Sequence, residues 1–109
     1  MISWTQKVQK HKKVYLEYFG YGEQDMVPSE YSGLRAEHIH HLTGRGEGKD
    51  EVWNLMALTG EEHDRIHRPE PWQNGQAFNL ECAKIHAEQL RLRGYKEWDK
   101  ALQILQEAA

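Results

Sequence analysis

Cysteine is nearly absent from this chain, since Cys82 is the single cysteine among 109 residues. One thiol cannot form an internal disulfide, and it cannot supply the four thiolates of a structural zinc site. Such sparing use of cysteine is typical of proteins from a reducing compartment. We therefore expect a cytoplasmic protein whose fold does not depend on disulfides.

Long hydrophobic runs are also missing. No apolar stretch approaches the ~18 residues that a transmembrane helix needs. The N-terminal sequence MISWTQKVQKHKK lacks the apolar centre of a signal peptide. The chain nevertheless contains four Trp and five Tyr, which indicate a packed core. We expect a folded cytoplasmic protein that has no membrane partner.

A net positive charge, on which non-specific DNA binding usually rests, is missing as well. The chain has 14 Lys and Arg against 17 Asp and Glu, a formal net charge of -3. The basic residues are clustered, however, at the N-terminus and around a set of histidines. The clusters comprise Lys7, Lys10, Lys12 and Lys13, and then Arg35, Arg45, Lys49, Arg65 and Arg68. They either contact phosphate or form solvated faces.

The length of the chain predicts one domain without a second core. Helical spacing predicts a helix from Trp4 to Phe19, although 14-VYLEYF-19 also alternates like a strand. A loop rich in Gly, Pro and Ser follows up to Gly33. The first 33 residues are therefore interpreted as a lead-in helix and loop.

Two strands and a short helix are predicted next, at residues 34–42, 52–58 and 59–69, with the glycine-rich segment 44–50 between the strands. The third part, residues 76–107, is predicted to form two amphipathic helices, 79–93 and 95–106, that end and begin around Gly94. The overall prediction is an α+β fold. Its 34–69 segment is a strand-strand-helix unit, flanked by an N-terminal helix and two C-terminal helices.

The short helix carries a pair of histidines four residues apart. Thr59 is a typical N-cap, acidic residues occupy the first turn, and Pro69 follows the end. On a helix, His63 and His67 project from the same face and can bind one cation. Taken alone, the pair is as consistent with a solvated helix surface.

The segment 38-HIHH-41 supplies candidates for a third ligand, and five of the seven histidines fall between residues 38 and 67. His38 faces the same side of a strand as His40, so it is a fourth ligand, a phosphate contact or, most simply, a surface residue. Arg45 lies between glycines in the loop that follows. Its guanidinium group suits phosphate oxygens, and a solvent-exposed role is equally consistent.

The stretch 36-AEHIHHLTGRGEGKDEVWNLMALTGEEHDRIH-67 resembles the HNH endonucleases, the ββα-metal nuclease family, in the compact form found in phage and prophage proteins. The compound signal is a His doublet, then Asn54, then His-x-x-x-His. The resemblance implies a DNA endonuclease from a phage or prophage, active in the bacterial cytoplasm. It implies that His40, His63 and His67 bind one divalent cation (Mg, Mn, Zn or Ni) while His41 acts as the general base. It also implies that Asn54, which is predicted to lie in the returning strand, forms hydrogen bonds that hold the loop carrying the general base in register.

One departure from the family pattern concerns the lead-in. Many phage members carry a Cys-x-x-Cys knuckle there, whereas this chain has Ser29 and Ser32. Serine is a poor zinc ligand, so we expect no structural zinc. We expect aromatic packing to hold the lead-in instead, through Tyr15, Tyr18, Phe19 and Tyr31.

Two other functions are consistent with the same residues. The histidines would hold a structural metal in a non-catalytic DNA-binding or phage-assembly module, or the chain would be a protein-interaction scaffold without metal. The apolar faces of the C-terminal helices most simply cover the core. They also allow a homodimer, which would bring two sites together for double-strand cleavage, so the chain is expected to be a monomer or such a dimer.

Overall fold

A computed structural model describes residues 9–108, and its architecture is α+β, as the sequence predicts. Four helices surround a two-stranded antiparallel hairpin in this part of the chain. The elements, in order, are α1 (Lys10–Phe19), β1 (His38–His41), a 3-10 turn (Val52–Asn54), β2 (Leu55–Leu58), α2 (Gly60–His67), α3 (Gly75–Leu92) and α4 (Lys100–Ala108). The predicted start of the first helix at Trp4 lies outside the described residues. Within them, no helix is long and apolar enough to cross a membrane.

The hairpin sets the directions in which the His doublet projects. In its register His40 pairs with Met56 and His41 pairs with Leu55. All four residues of β2 are completely buried. Successive residues of a strand face opposite sides, so His40 and His41 lie on opposite faces of β1. The partner strand β2 is buried on both of its faces.

Both strands are shorter than predicted. Residues 34–36 do not extend β1, because they pair with the lead-in loop: Pro28 and Arg35 form an isolated bridge, and the amide of Ala36 donates to the carbonyl of Val27 at 2.8 Å. Residues Val52–Asn54 form a 3-10 turn, so the placement of Asn54 in the returning strand was wrong. It is the last residue before β2.

The core lies between the hairpin and α3. On one side, Met56 and Leu58 join Phe78, Cys82 and Leu90, while α4 closes this layer with Ala101 and partly buried leucines. Leu55 and Ala57 pack on the opposite side against Tyr15 of α1. The hairpin is therefore held between α1 and the C-terminal helices.

The lead-in loop is anchored by polar contacts where the family pattern has cysteines. Ser29 is buried, and its hydroxyl donates to Glu62 Oε1 at 2.5 Å. The side chain of the next residue, Glu30, is 3% exposed and accepts hydrogen bonds from Tyr15, His86 and Gln89, each at 2.7 Å. The other ring nitrogen of His86 contacts the carbonyl of Val52 at 2.8 Å, so both nitrogens of the ring face an oxygen acceptor.

Aromatic packing of the lead-in follows the prediction in part. Tyr15 and Tyr18 both pack against Phe19, at ring-centroid distances of 4.4 and 5.0 Å. Tyr31 lies elsewhere, edge-on to Phe78 of α3 at 4.9 Å. The expectation that no structural zinc is held here stays a prediction.

The first of the two C-terminal helices begins earlier than predicted, and the second begins later. The third helix starts at Gly75, not Asn79, because Asn74 caps it by accepting from the amide of Ala77 at 3.0 Å. A β-carbon on Gly75 would lie 2.3 Å from the carbonyl oxygen of Ile66, so glycine lets α3 start directly against the end of α2. The fourth helix starts at Lys100, not at residue 95.

Candidate functional site

Helix α2 presents the two histidines of the predicted metal site from a well-defined N-terminus. Thr59 and Glu62 form a reciprocal capping box: the hydroxyl of Thr59 accepts from the amide of Glu62 at 3.1 Å, and the carboxylate of Glu62 accepts from the amide of Thr59 at 2.8 Å. The rings of His63 and His67 lie 4.4 Å apart between centroids. The cap and the helical spacing together fix these two rings on one face.

His40 of β1 joins the α2 pair to form a cluster of three imidazoles. One ring nitrogen from each of His40, His63 and His67 lies within 4.8 Å of the others. His40 is buried, His63 is half-buried and His67 is exposed. The cluster is therefore fixed at its inner end by the strand and open to solvent at its outer end.

Asn79 of α3 orients the buried member of the cluster. Its amide nitrogen donates to the carbonyl of Leu42 at 2.9 Å, which leaves its Oδ1 to accept from Nε2 of His40 at 2.8 Å. This arrangement places the ring proton of His40 on Nε2 and leaves the lone pair on Nδ1. Metal-binding histidines commonly use such a partner to fix their tautomer. Sequence analysis missed Asn79 because it is 39 residues from His40.

The protonation of the cluster suits a cation. Burial lowers the pKa of His40 to about 4, and the hydrogen bond that His40 donates to Asn79 offsets this only in part. Burial likewise lowers the pKa of His63 to about 4, with a further contribution from the nearby His38 and His67 rings. Both rings are therefore neutral at pH 7 and have free lone pairs.

His41 faces away from this cluster and belongs to a second one. Its Nε2 lies 2.8 Å from Oδ1 of Asp50, and its ring is 4.7 Å from the ring of His11 on α1. His41 and His11 are buried, and Asp50 is half-buried. The hydrogen bond with His41 holds the pKa of the Asp50 carboxyl below its usual range. Sequence analysis missed both partners, because neither belongs to the His-Asn-His pattern.

Asn54 holds together the loop that links the doublet to β2. It is completely buried. Its Oδ1 accepts from the amide and the hydroxyl of Thr43, both at 2.8 Å, and its amide nitrogen donates to the carbonyls of Gly44 and Lys49 at 3.1 and 2.9 Å. The backbone carbonyl of Asn54 also accepts from the amide of Leu42 at 2.8 Å. All four hydrogen-bonding positions of the side chain are used.

A cleft of about 560 Å³ is lined by one residue of each histidine cluster. Its lining includes His11 of the second cluster and His63 of the first, together with the exposed Arg45 and His38. His38 stacks on His63 with ring centroids 4.3 Å apart and planes at 12°. His38 and Arg45, the two candidates for phosphate contact, therefore line the same cleft as one residue of each cluster.

No family model, curated protein or solved structure matches this chain. The chemistry of the site must therefore be argued from its own residues. Three imidazoles form a donor set suited to a transition-metal cation, and the pair of a buried histidine and a half-buried aspartate can accept a proton.

Arg65 and Arg68, the two arginines of α2 and its C-terminal end, have partners within the protein. The guanidinium of Arg65 lies over the ring of Phe78 at 4.0 Å, and Arg68 forms an ion pair with Asp64 at 2.8 Å. These contacts favour structural roles for both residues. Arg45 is the better candidate for a contact with a bound anion.

Proposed function

We propose that this chain is a metal-dependent DNA endonuclease of the HNH type, which hydrolyses phosphodiester bonds. One observation carries the proposal: the two neighbouring histidines of β1 enter different clusters. His40 joins His63 and His67, whereas His41 is held apart by Asp50. A hydrolase that uses one cation and one general base needs this division.

The residues of the first cluster fit a divalent cation. His40 can offer Nδ1 without losing a hydrogen bond, since Asn79 occupies its other nitrogen. Three imidazoles favour Zn, Ni, Co or Mn over Mg in affinity, although Mg is often the more available ion. When bound, the cation would polarise the phosphate and stabilise the negative charge that develops on it and on the departing oxygen.

His41 is proposed as the base that deprotonates the attacking water. A carboxylate beside Nε2 favours the tautomer in which Nε2 carries the proton, so Nδ1 is left to accept a second one. The new proton converts His41 to an imidazolium, which the negative charge of Asp50 stabilises. The water oxygen forms a bond to phosphorus, the bond from phosphorus to the leaving oxygen breaks, and the leaving oxygen takes a proton from solvent.

The loop that follows β1 is proposed to keep His41 in position and to contact the nucleic acid. The four side-chain hydrogen bonds of Asn54 close residues 43–49 into a compact loop, which also carries Arg45. The exposed guanidinium of Arg45 and the ring of His38 would meet phosphates in the cleft. Lys12 and Arg35 line the same cleft and could contact further phosphates, although Glu23, Asp25 and Glu37 line it as well.

Nicking of supercoiled plasmid tests the proposal. Chelator-treated protein should be inactive and should regain activity with a divalent cation. The variant His41→Ala should lose activity by at least ~100-fold while retaining its metal, since a general base contributes about 10²–10⁴-fold. Lys84→Ala, an exposed change on α3 away from both clusters, serves as the control and should cleave normally.

The main alternative is a non-catalytic metal-stabilised DNA-binding or phage-assembly module. It predicts that the unmodified protein binds metal but fails to nick DNA with any cation. That result, or full activity in a folded His41→Ala variant, would contradict the proposed function.

A further inference from the structure

The second cluster has the composition of a metal site in its own right. One ligand atom from each of His11, His41 and Asp50 lies within 4.8 Å of the others, as in the first cluster. Its donor set is two imidazoles and one carboxylate. We propose that these three residues form a second site for a transition-metal cation such as Zn²⁺, distinct from the site formed by His40, His63 and His67.

The geometry of the second cluster allows its donors to converge. The rings of His11 and His41 are tilted by 57° with centroids 4.7 Å apart, so they are not stacked face to face. A tilted pair can direct one nitrogen of each ring toward the same point. The Asp50 carboxylate already contacts Nε2 of His41 at 2.8 Å. His11 lines the cleft and Asp50 keeps a third of its side chain exposed, which gives an ion a route from solvent.

The chemistry of the donors selects the class of cation. Two imidazoles with one carboxylate suit Zn²⁺, Co²⁺ and Ni²⁺, whereas Mg²⁺ prefers oxygen ligands and retains its waters. The single carboxylate compensates one of the two charges.

The second site should be the weaker of the two. In the first site Asn79 holds one nitrogen of His40 and leaves the other free, so no bond to that ring must break. In the second site the ion must displace the proton shared by His41 and Asp50. The loss of one charged hydrogen bond corresponds to an affinity about 10- to 100-fold lower.

Occupation of the second site has a functional consequence, which rests on the proposed nuclease activity. A cation bound to His41 removes the lone pair that is needed to accept a proton from water. Zn²⁺ in excess of one equivalent should therefore inhibit cleavage that another ion supports. An excess of Mg²⁺ should not.

Metal stoichiometry tests the site without any activity measurement. The full chain is stripped with a chelator and titrated with Zn²⁺ by calorimetry, and with Co²⁺ by visible absorption. The unmodified protein should bind two equivalents in two phases. His11→Asn should keep only the tighter phase, and His67→Asn should keep the weaker one.

A second variant protects the test against misfolding, since His11 is buried. Asp50 is partly exposed, and an asparagine in its place can still form a hydrogen bond with His41, so Asp50→Asn should fold. It should lower the affinity of the second binding phase at least tenfold. One equivalent in the unmodified protein, or an unchanged second phase in both His11→Asn and Asp50→Asn, would overturn the proposal.

The activity arm then separates the two claims. If the protein nicks DNA, excess Zn²⁺ should inhibit the unmodified protein and spare His11→Asn. Equal inhibition of both would contradict the inhibitory role. If no cation supports nicking, the proposed function fails, while the stoichiometry still decides whether the second site exists.

Discussion

Replacement of Asn79 should weaken metal binding without touching any proposed ligand. In Asn79→Leu, which keeps the branched shape of the side chain, Nε2 of His40 loses its acceptor and the carbonyl of Leu42 loses its donor. The ring is then free to change tautomer and orientation. Loss of such a partner commonly lowers metal affinity about 10- to 100-fold, or about 1.4–2.7 kcal/mol. The fold should lose about 1–3 kcal/mol from the two missing hydrogen bonds.

Asn79→Asp is the matched variant. It retains an acceptor for His40 and loses only the donor to Leu42, and its negative charge favours the cation. We expect its metal affinity to equal or exceed that of the unmodified protein. Competition with a chromophoric chelator measures both affinities, and circular dichroism confirms that both variants fold. Equal affinity in the Leu variant and the unmodified protein would refute the assignment of His40 as an oriented ligand.

Three further predictions concern the scaffold of the site. Asn54→Ala should destabilise the fold by about 3–5 kcal/mol, because it removes four buried hydrogen bonds, and urea unfolding should detect the loss; a loss below 1 kcal/mol would contradict the role of Asn54. Gly75→Ala should lower the free energy of unfolding by about 1–3 kcal/mol, because the new β-carbon would overlap the Ile66 carbonyl. Thermal melting measures this loss, and an unchanged melting temperature would mean that α2 and α3 can move apart freely. The pKa of His40 falls from 6.5 to about 4 on folding, so the unfolded chain takes up this proton at a higher pH than the folded protein does. The contribution of His40 to the free energy of unfolding is therefore complete above pH 6.5, and it falls by about 3 kcal/mol as the pH drops to 4. Urea midpoints of the metal-free protein should show this loss, and His40→Gln should reduce it, leaving the part that the lowered pKa of His63 contributes.

Local patterns predicted the outer part of the site. The cap of α2 and the four-residue spacing of His63 and His67 depend only on neighbouring residues, so the sequence was sufficient for both. The separation of His40 from His41 follows from the alternation of strand residues. The α+β class and the order of the hairpin and α2 were also predictable.

The inner part of the site depends on contacts between residues distant in sequence. Asn79 reaches His40 from a helix that was predicted to begin at that very residue, and His11 reaches His41 from α1. No periodicity links such pairs. Asn54 was predicted to lie in a strand and lies in a 3-10 turn for a similar reason. Its side chain forms hydrogen bonds with a loop that precedes it by five to eleven residues.

The anchoring of the lead-in could not be derived from composition either. The two serines indicate that a zinc knuckle is not to be expected, but nothing local shows that Glu30 is buried against His86 and Gln89, which follow it by 56 and 59 residues. Burial of a carboxylate requires partners, and these become evident only when α3 is placed against the loop.

The most direct test of the account is the position of a bound ion in crystals of the protein loaded with one equivalent of Zn²⁺ or Mn²⁺. The account predicts one anomalous-scattering peak among His40, His63 and His67, at about 2.0–2.2 Å from one ring nitrogen of each, with the His41 ring unbound. A single peak on His41, or no peak at the three imidazoles, would contradict it.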